Sequence, residues 1–391
     1  MIYENLKKSS YIKEIVPNFT FTFLNGAKVE INSTTDKEYI VKFFNHKTNK
    51  FIYQGILKGN MWASPSIQYF IKWRVEIWDK EKNKKIKEHI FNAKDKKVYI
   101  HLGSKAVGDS IAWIPYVEEF RKAHNCEVIC STFHNKWFST LYSNIKFIPP
   151  GTVVNDLYAM YEIGWYYDKE EYFNFNRHPF DHKHYPLQKT ASDILGLTYK
   201  EIKTKLHFDL KPNIIKGKYV VIAPHASSHA KYWNYPQGWQ ILIDWLNNNG
   251  YKVVMATYET LGDEFHDSKL GGTLTGVINK TGCNFDEAFS LIKNSKAFIG
   301  VSSGLSWASW ALNTPTIMIS GFTENFMEPA KIHRISTPEG FCMGCQTTNK
   351  LDPGDWEWCP FHKGTNRQFE CTKSISPSYI IENLTKILKI K

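Results

Sequence analysis

The stretch 298–321 constrains the fold more than any other part of the chain: Phe-Ile-Gly-Val-Ser-Ser-Gly-Leu-Ser-Trp-Ala-Ser-Trp-Ala-Leu-Asn-Thr-Pro-Thr-Ile-Met-Ile-Ser-Gly. Residues 298–301 form a short apolar run. Ser302, Ser303 and Gly304 make a tight polar turn, 305–312 has helical character, Asn313 ends it, and 315–319 starts a second apolar strand. Strand, turn, helix and strand in this order form a βαβ unit, which requires a parallel sheet. A Ser-Ser-Gly turn at a helix N-terminus offers backbone N–H groups and a positive dipole end, an arrangement that suits a phosphate or diphosphate. Open α/β sheets bind ligands at the carboxyl ends of their strands, where this turn falls. On pattern alone, a βαβ unit whose serines only cap the helix weighs about as much.

A chain of 391 residues needs two or three such compact regions, and its 42% hydrophobic content fills sizeable cores. Aromatic residues make up 15%, which favours extensive interfaces or a carbohydrate-facing surface. The formal charge of +11 suits anionic substrates such as nucleotides, and equally nucleic acid. The densest Lys/Arg stretch, 80–97, also carries acidic residues, so a polyanion-binding tail is not expected. Residues 1–16 lack the apolar core of a signal peptide, and no apolar run is long enough to span a bilayer. The expectation is a cytoplasmic protein without membrane insertion.

Residues 1–96 read as an all-β accessory domain, a sandwich or barrel. Alternating, aromatic segments at 19–23, 29–31, 39–44, 67–78 and 85–91 are separated by turn signals at Asn25-Gly26, 45–49, 58–60 and 79–84. From residue 98 the pattern becomes α/β, with strands at 98–102, 127–131 and 145–148 and helices at 110–123 and around 191–195. After a connecting stretch at 211–218 it restarts, with strands at 219–223 and 251–256 and helices at 237–248 and 285–294. Two Rossmann-like domains follow, 97–212 and 213–391, closed by an amphipathic helix at 377–390.

Two further strand-to-helix turns carry polar groups. The first, 103–110, has glycines for a tight turn but neither dinucleotide-fingerprint nor P-loop spacing. It places Asp109 at a helix start, where a carboxylate accepts a proton from an attacking hydroxyl or simply caps the helix. The second, 224–236, holds His225, His229, Lys231 and Trp233. Lys231 is the strongest candidate for a phosphate partner. Each histidine can donate to phosphate or sugar, and at least one is expected to be an ordinary loop residue.

Four of the seven cysteines follow the spacing Cys342-x2-Cys345-x13-Cys359-x11-Cys371, in a segment (337–374) between a strand and the last helix. Cys-x-x-Cys with two further cysteines signals a metal site in a chain without an export signal, and a reducing cytosol disfavours the rival disulfides. Zinc is the first guess from coordination chemistry, and a single iron held by four thiolates also fits. A closed four-thiolate site has no open position, which favours a structural role. Cys126, Cys130 and Cys283 are expected to be buried and inert.

The order of these motifs resembles the bacterial autotransporter heptosyltransferase family, cytoplasmic enzymes related to the ADP-heptose transferases of lipopolysaccharide core synthesis. The resemblance rests on 103–110, the Lys231 loop, Gly300-Val-Ser-Ser-Gly-Leu-Ser-Trp307 with Met318-Ile-Ser-Gly321, and the four cysteines. With the N-terminal β module it extends over essentially the whole chain. Lipopolysaccharide enzymes usually carry His where this chain has Trp307, and they lack the cysteine insertion.

The resemblance implies a B-type glycosyltransferase of two Rossmann-like domains with an added β domain, an ADP-heptose donor and serine hydroxyls of an autotransporter adhesin passenger as acceptors. It implies Asp109 as general base of an inverting transfer. Lys231, Ser302, Ser303, Gly304, His229 and Gly108 would bind the donor. It further implies ferric iron (Fe3+) on Cys342, Cys345, Cys359 and Cys371, and a ring-like homo-oligomer, a dodecamer in the family. A lipopolysaccharide-core heptosyltransferase is the nearest alternative. A non-enzymatic metal-binding scaffold or nucleic-acid binder is the alternative of another class; two α/β halves without a basic recognition element weigh against nucleic acid.

Overall fold

The computed structural model describes residues 14–16, 19–32, 36–170, 172–212 and 215–390. Parts of 1–16 and of the connecting stretch 211–218 lie outside the described residues. The chain divides into two compact units. One comprises Met1–Lys105, Trp113–His182 and Gln188–Ile202, the other Ala106–Ala112, Lys183–Leu187 and Lys203–Lys391.

The first unit opens with two antiparallel four-stranded sheets. Strands β1 (Glu14–Val16), β2 (Phe19–Thr22), β3 (Lys28–Ile31) and β6 (Trp62–Ala63) form one, in that order. In the other, β5 (Lys50–Leu57), β4 (Tyr39–Asn45), β7 (Trp73–Asp79) and β8 (Lys84–Ile90) run side by side. Alternation turns Tyr39, Val41 and Phe43 inward, as period-two strands require. Ring contacts join the inner faces: Phe19 meets Tyr39 at 5.1 Å edge-on, and Phe21 stacks on His89 at 4.7 Å. The hairpin at 79–84 forms as its turn residues predict, with Asn83 at positive φ and the Asp79 carboxylate accepting from the Lys82 amide at 3.1 Å. The strand expected over 67–78 begins only at Trp73. Upstream, the Gln68 and Phe70 amides donate to the carbonyls of Asn176 and Ile194, so the backbone is engaged outside any ladder.

The unit continues into a parallel sheet of order β11-β10-β9-β12, built from β9 (Lys97–Leu102), β10 (Glu127–Ser131), β11 (Ile145–Ile148) and β12 (Ala159–Ile163). Helix α1 (Val107–His124) follows β9 and starts three residues earlier than the sequence suggests, which puts Asp109 in its first turn.

The second unit holds a six-stranded parallel sheet of order β15-β14-β13-β16-β17-β18. Its strands are β13 (Tyr219–Ala223), β14 (Lys252–Met255), β15 (Val277–Asn279), β16 (Phe298–Val301), β17 (Thr316–Ser320) and β18 (His333–Ser336). Counted from β13 this is the doubly wound arrangement, whose direction of build reverses between β13 and β16. Strands β13, β16 and β17 are buried along their whole length and mostly apolar, because helices cover both faces of such a sheet. The C-terminal helix Pro377–Leu388 is capped by Ser376, whose Oγ accepts from the Tyr379 amide at 3.3 Å. It buries Ile380 and Leu384 in the core cluster that contains Leu242 and Leu246 of helix Gly238–Asn248. Among the described residues no helix is long and apolar enough to cross a membrane.

Leu384→Ala should remove about 2–5 kcal/mol of stability, measured by urea unfolding, because Leu384 is fully buried. A second expectation concerns acid. Burial lowers the imidazoles of His178 and His225 to about 4. Between an unfolded value of about 6.5 and that folded value, the unfolded chain binds protons that the folded chain does not. The urea midpoint should therefore hold steady above pH 6.5 or so and fall as the pH drops from there toward about 4.

Candidate functional site

Where the sheet of the second unit reverses its order, the carboxyl ends of β13 and β16 lie side by side. The loop after β13 carries His225, His229 and Lys231; the turn after β16 is Ser302-Ser303-Gly304, which opens helix Gly304–Ala311. Ser303 occupies the N-cap position with an extended backbone, yet its side chain makes no capping hydrogen bond. The capping function considered for this serine is therefore not used. The first N–H groups of any helix have no partner within it, and the dipole there is positive.

This helix start is pressed against the start of α1. A Cβ on Gly304 would stand 2.5 Å from the Val107 Cβ and 3.0 Å from the Gly108 nitrogen. A Cβ on Gly108 would stand 3.3 Å from Trp307 and 3.6 Å from the Gly304 Cα. Two helix N-termini therefore meet; at Gly304 a side chain would force them apart, and at Gly108 the space is tight against Trp307. Asp109 follows Gly108 directly and lies close enough to Lys231 that its negative charge supports the ammonium. Burial acts more strongly in the opposite direction and lowers the Lys231 pKa. The Lys231 Nζ donates to Ser227 Oγ at 3.2 Å and sits 5.2 Å from the centre of the Phe322 ring. Gly108, Asp109, Lys231, Ser302, Ser303 and Gly304 thus form one connected group.

His229 is placed differently. Its Nδ1 faces Glu357 at 2.9 Å and its ring lies 4.4 Å from Phe369, both in the cysteine-bearing segment. Glu357 also accepts from Lys269 at 3.0 Å. Ala230, between His229 and Lys231, packs in one buried cluster with Phe322, Trp358, Cys345 and Cys359. The cysteine-bearing segment therefore buttresses the Lys231 loop. His225 turns its Nδ1 to Thr257 Oγ1 at 3.1 Å and is buried.

None of the seven cysteines is in a disulfide. The thiols of Cys342 and Cys345 are near neighbours, and Cys345 also lies within electrostatic reach of Cys359 and Cys371. Burial pushes the Cys371 thiol up to about 12 and that of Cys345 higher still. Ligand atoms of Cys342, His362 and Glu370 lie within 4.8 Å of one another. The Glu370 carboxylate is engaged by Arg367 at 2.6 Å and by the Cys342 amide at 3.1 Å, and the Arg367 bond holds its pKa down to about 2.

One network has no counterpart in the sequence analysis. Ser302 Oγ donates to Glu328 Oε1 at 3.0 Å, and the Thr323 hydroxyl reaches the same oxygen. The Arg334 guanidinium pairs with the other carboxylate oxygen, and also donates to Thr323 Oγ1 at 3.1 Å and Ser336 Oγ at 3.0 Å. The Glu328 and Arg334 side chains are only 4% and 9% exposed, so this is a buried ion pair with nearly all its polar atoms engaged. It ties together the ends of β16, β17 and β18.

Gly304→Ala should separate the two helix starts and destabilise the fold by about 1–3 kcal/mol, read as a lowered urea midpoint. Gly250→Ala is the contrast: its Cβ would meet nothing within 4 Å, and only its φ of +77° would be strained.

Comparison with known proteins identifies the family and the fold. Residues 172–336 match the model of glycosyltransferase family 9 (heptosyltransferase). The chain is 30% identical over 371 residues to the autotransporter heptosyltransferase Aah of Escherichia coli, covering 91% of this chain and 90% of Aah. It is similar in structure to the bacterial iron-containing dodecameric glycosyltransferase TibC from enterotoxigenic E. coli H10407, with a TM-score of 0.87, 27% identity, and 97% of this chain and 98% of TibC covered. A second TibC structure, a complex with ADP-D-β-D-heptose, superposes with a TM-score of 0.85, 27% identity and the same coverage. The inactive autotransporter heptosyltransferase BimC of Burkholderia thailandensis is 25% identical, with 94% of this chain and 85% of BimC covered. The chain belongs to the autotransporter heptosyltransferase family.

Proposed function

We propose that this chain transfers heptose from ADP-heptose to serine hydroxyls of an autotransporter adhesin passenger, with inversion, in the cytoplasm. The observation that carries this reading is the joined group of Asp109, Lys231 and the Ser302–Gly304 turn at the switch point of the second sheet. Its relative TibC binds ADP-D-β-D-heptose. The two parallel sheets correspond to the Rossmann-like domains of a B-type glycosyltransferase, 97–212 on the acceptor side and 213–391 on the donor side, with 1–96 as accessory β domain. The likeness to TibC covers 97% of the chain, including the β module and the cysteine segment, which supports the protein-modifying branch over a lipopolysaccharide-core enzyme.

In this mechanism the diphosphate lies at the start of helix Gly304–Ala311 and beside Lys231, which supply positive charge as the leaving group departs. Asp109 takes the proton of the acceptor serine. The serine oxygen bonds to the anomeric carbon, and the bond to ADP breaks with its electron pair on the phosphate oxygen. Gly108 lets the backbone approach closely, and His229 acts from behind the loop through Glu357. Cys342, Cys345, Cys359 and Cys371 would hold ferric iron in a closed structural site, with zinc as the alternative; what supports this donor set is that Cys345 lies within electrostatic reach of the other three thiols and that none of the four is in a disulfide. Glu370, committed to Arg367 and the Cys342 amide, shapes the site from outside that set. Assembly into a homo-oligomer, a dodecamer as in TibC, belongs to the same reading.

Asp109→Ala should lower transfer to an adhesin passenger by about 10²–10⁴-fold while leaving ADP-heptose affinity nearly unchanged. Wild-type turnover in that variant would remove Asp109 from the mechanism; lack of transfer by the unmodified chain would place it beside BimC. Lys231→Ala should weaken ADP-heptose binding by about tenfold or more, and an unchanged dissociation constant would refute its role. In Cys342→Ser, elemental analysis should find the bound metal lost.

A further inference from the structure

The Glu328–Arg334 pair has a consequence for any anion at the Ser302–Gly304 turn. Glu328 accepts the hydrogen of Ser302 Oγ, so that hydroxyl is committed to the protein interior and its carboxylate sits one residue from the N-cap of helix Gly304–Ala311. A buried negative charge at this position opposes a phosphate bound at the helix start. Arg334, on Glu328's far oxygen and on the Ser320–Thr323 loop, cancels it. The side chains are too deeply buried for solvent to screen the charges. We infer that Arg334 and Glu328 are positioning residues that set the electrostatic field of the diphosphate site: Glu328 anchors the turn through Ser302, and Arg334 neutralises that anchor so the site accepts a nucleoside diphosphate. This rests on the donor-site reading above.

A purely structural ion pair and a field-setting pair differ in sign. If the pair only holds the loops together, removing either partner weakens every ligand. If it sets the field, Arg334→Met leaves an uncompensated carboxylate that repels phosphate, whereas Glu328→Gln keeps an acceptor for Ser302 and leaves an uncompensated cation that attracts it.

The test is calorimetric titration of the full chain with ADP and with adenosine, which has no phosphate. Arg334→Met should weaken ADP by about tenfold or more and change adenosine by less than about twofold. Glu328→Gln should tighten ADP a few-fold, and the double variant should return to within about threefold of wild type. Arg334→Lys, which keeps the charge, should stay within about threefold as well and guards against a failure of Arg334→Met to fold. ADP shifts of the same direction in Arg334→Met and Glu328→Gln, or equal losses for ADP and adenosine, would overturn the inference while the donor site stands. No ADP binding by the unmodified chain would overturn the donor-site reading, and this inference with it.

Discussion

The contact between the starts of helices Val107–His124 and Gly304–Ala311 is the constraint on which the site depends. A hydrogen atom in place of a methyl at Gly304 and Gly108 lets two backbones come within van der Waals distance. That approach brings together the positive ends of two helices and sets Asp109 in the first turn of one of them. Trp307 lies over Gly108 and closes the contact from the other helix. The absence of a side chain at Gly108 leaves the indole its room.

Around this contact the site combines charges of both signs at short range. Lys231 is drawn down by burial and supported by Asp109; Glu328 is buried beneath the turn and matched by Arg334. Each charge has its opposite close by, as buried charges require. The local balance is therefore decided pair by pair and not by the overall charge of +11, most of which sits on solvated lysines that salt screens.

The parts of the fold that could be read from sequence are those that are continuous along the chain. Apolar runs such as 219–223 and 298–301 are strands buried on both faces, and the turn 302–304 announces its helix. The strands without a clear signal in the sequence, Glu14–Val16, Lys50–Leu57, Trp62–Ala63, Ala159–Ile163, Val277–Asn279 and His333–Ser336, are all at sheet edges, where no apolar run is needed. The strand expected at 67–72 shows the converse: an alternating pattern whose amides are claimed by distant carbonyls. Within the site, Lys231, Asp109 and the serine turn stood out because each follows a strand in a polar loop. Glu328 and Arg334 did not, because a lone acid and a lone base six residues apart look like ordinary surface charge. His229 was legible as a polar loop residue, but its tie to Glu357 spans 128 positions and no local pattern can encode it.

That long span also has a temporal side. Ala230 and His229 reach their final surroundings only when Glu357, Cys359 and Phe369 have been made, more than a hundred residues later. Closing such a loop costs entropy that no nearby contact offsets. A growing chain on the ribosome therefore carries an unfinished Lys231 loop for about a third of its synthesis, even after β14 and β16, the partners of β13, have been made. The loop settles in one of the last steps, when nearly the whole protein has emerged.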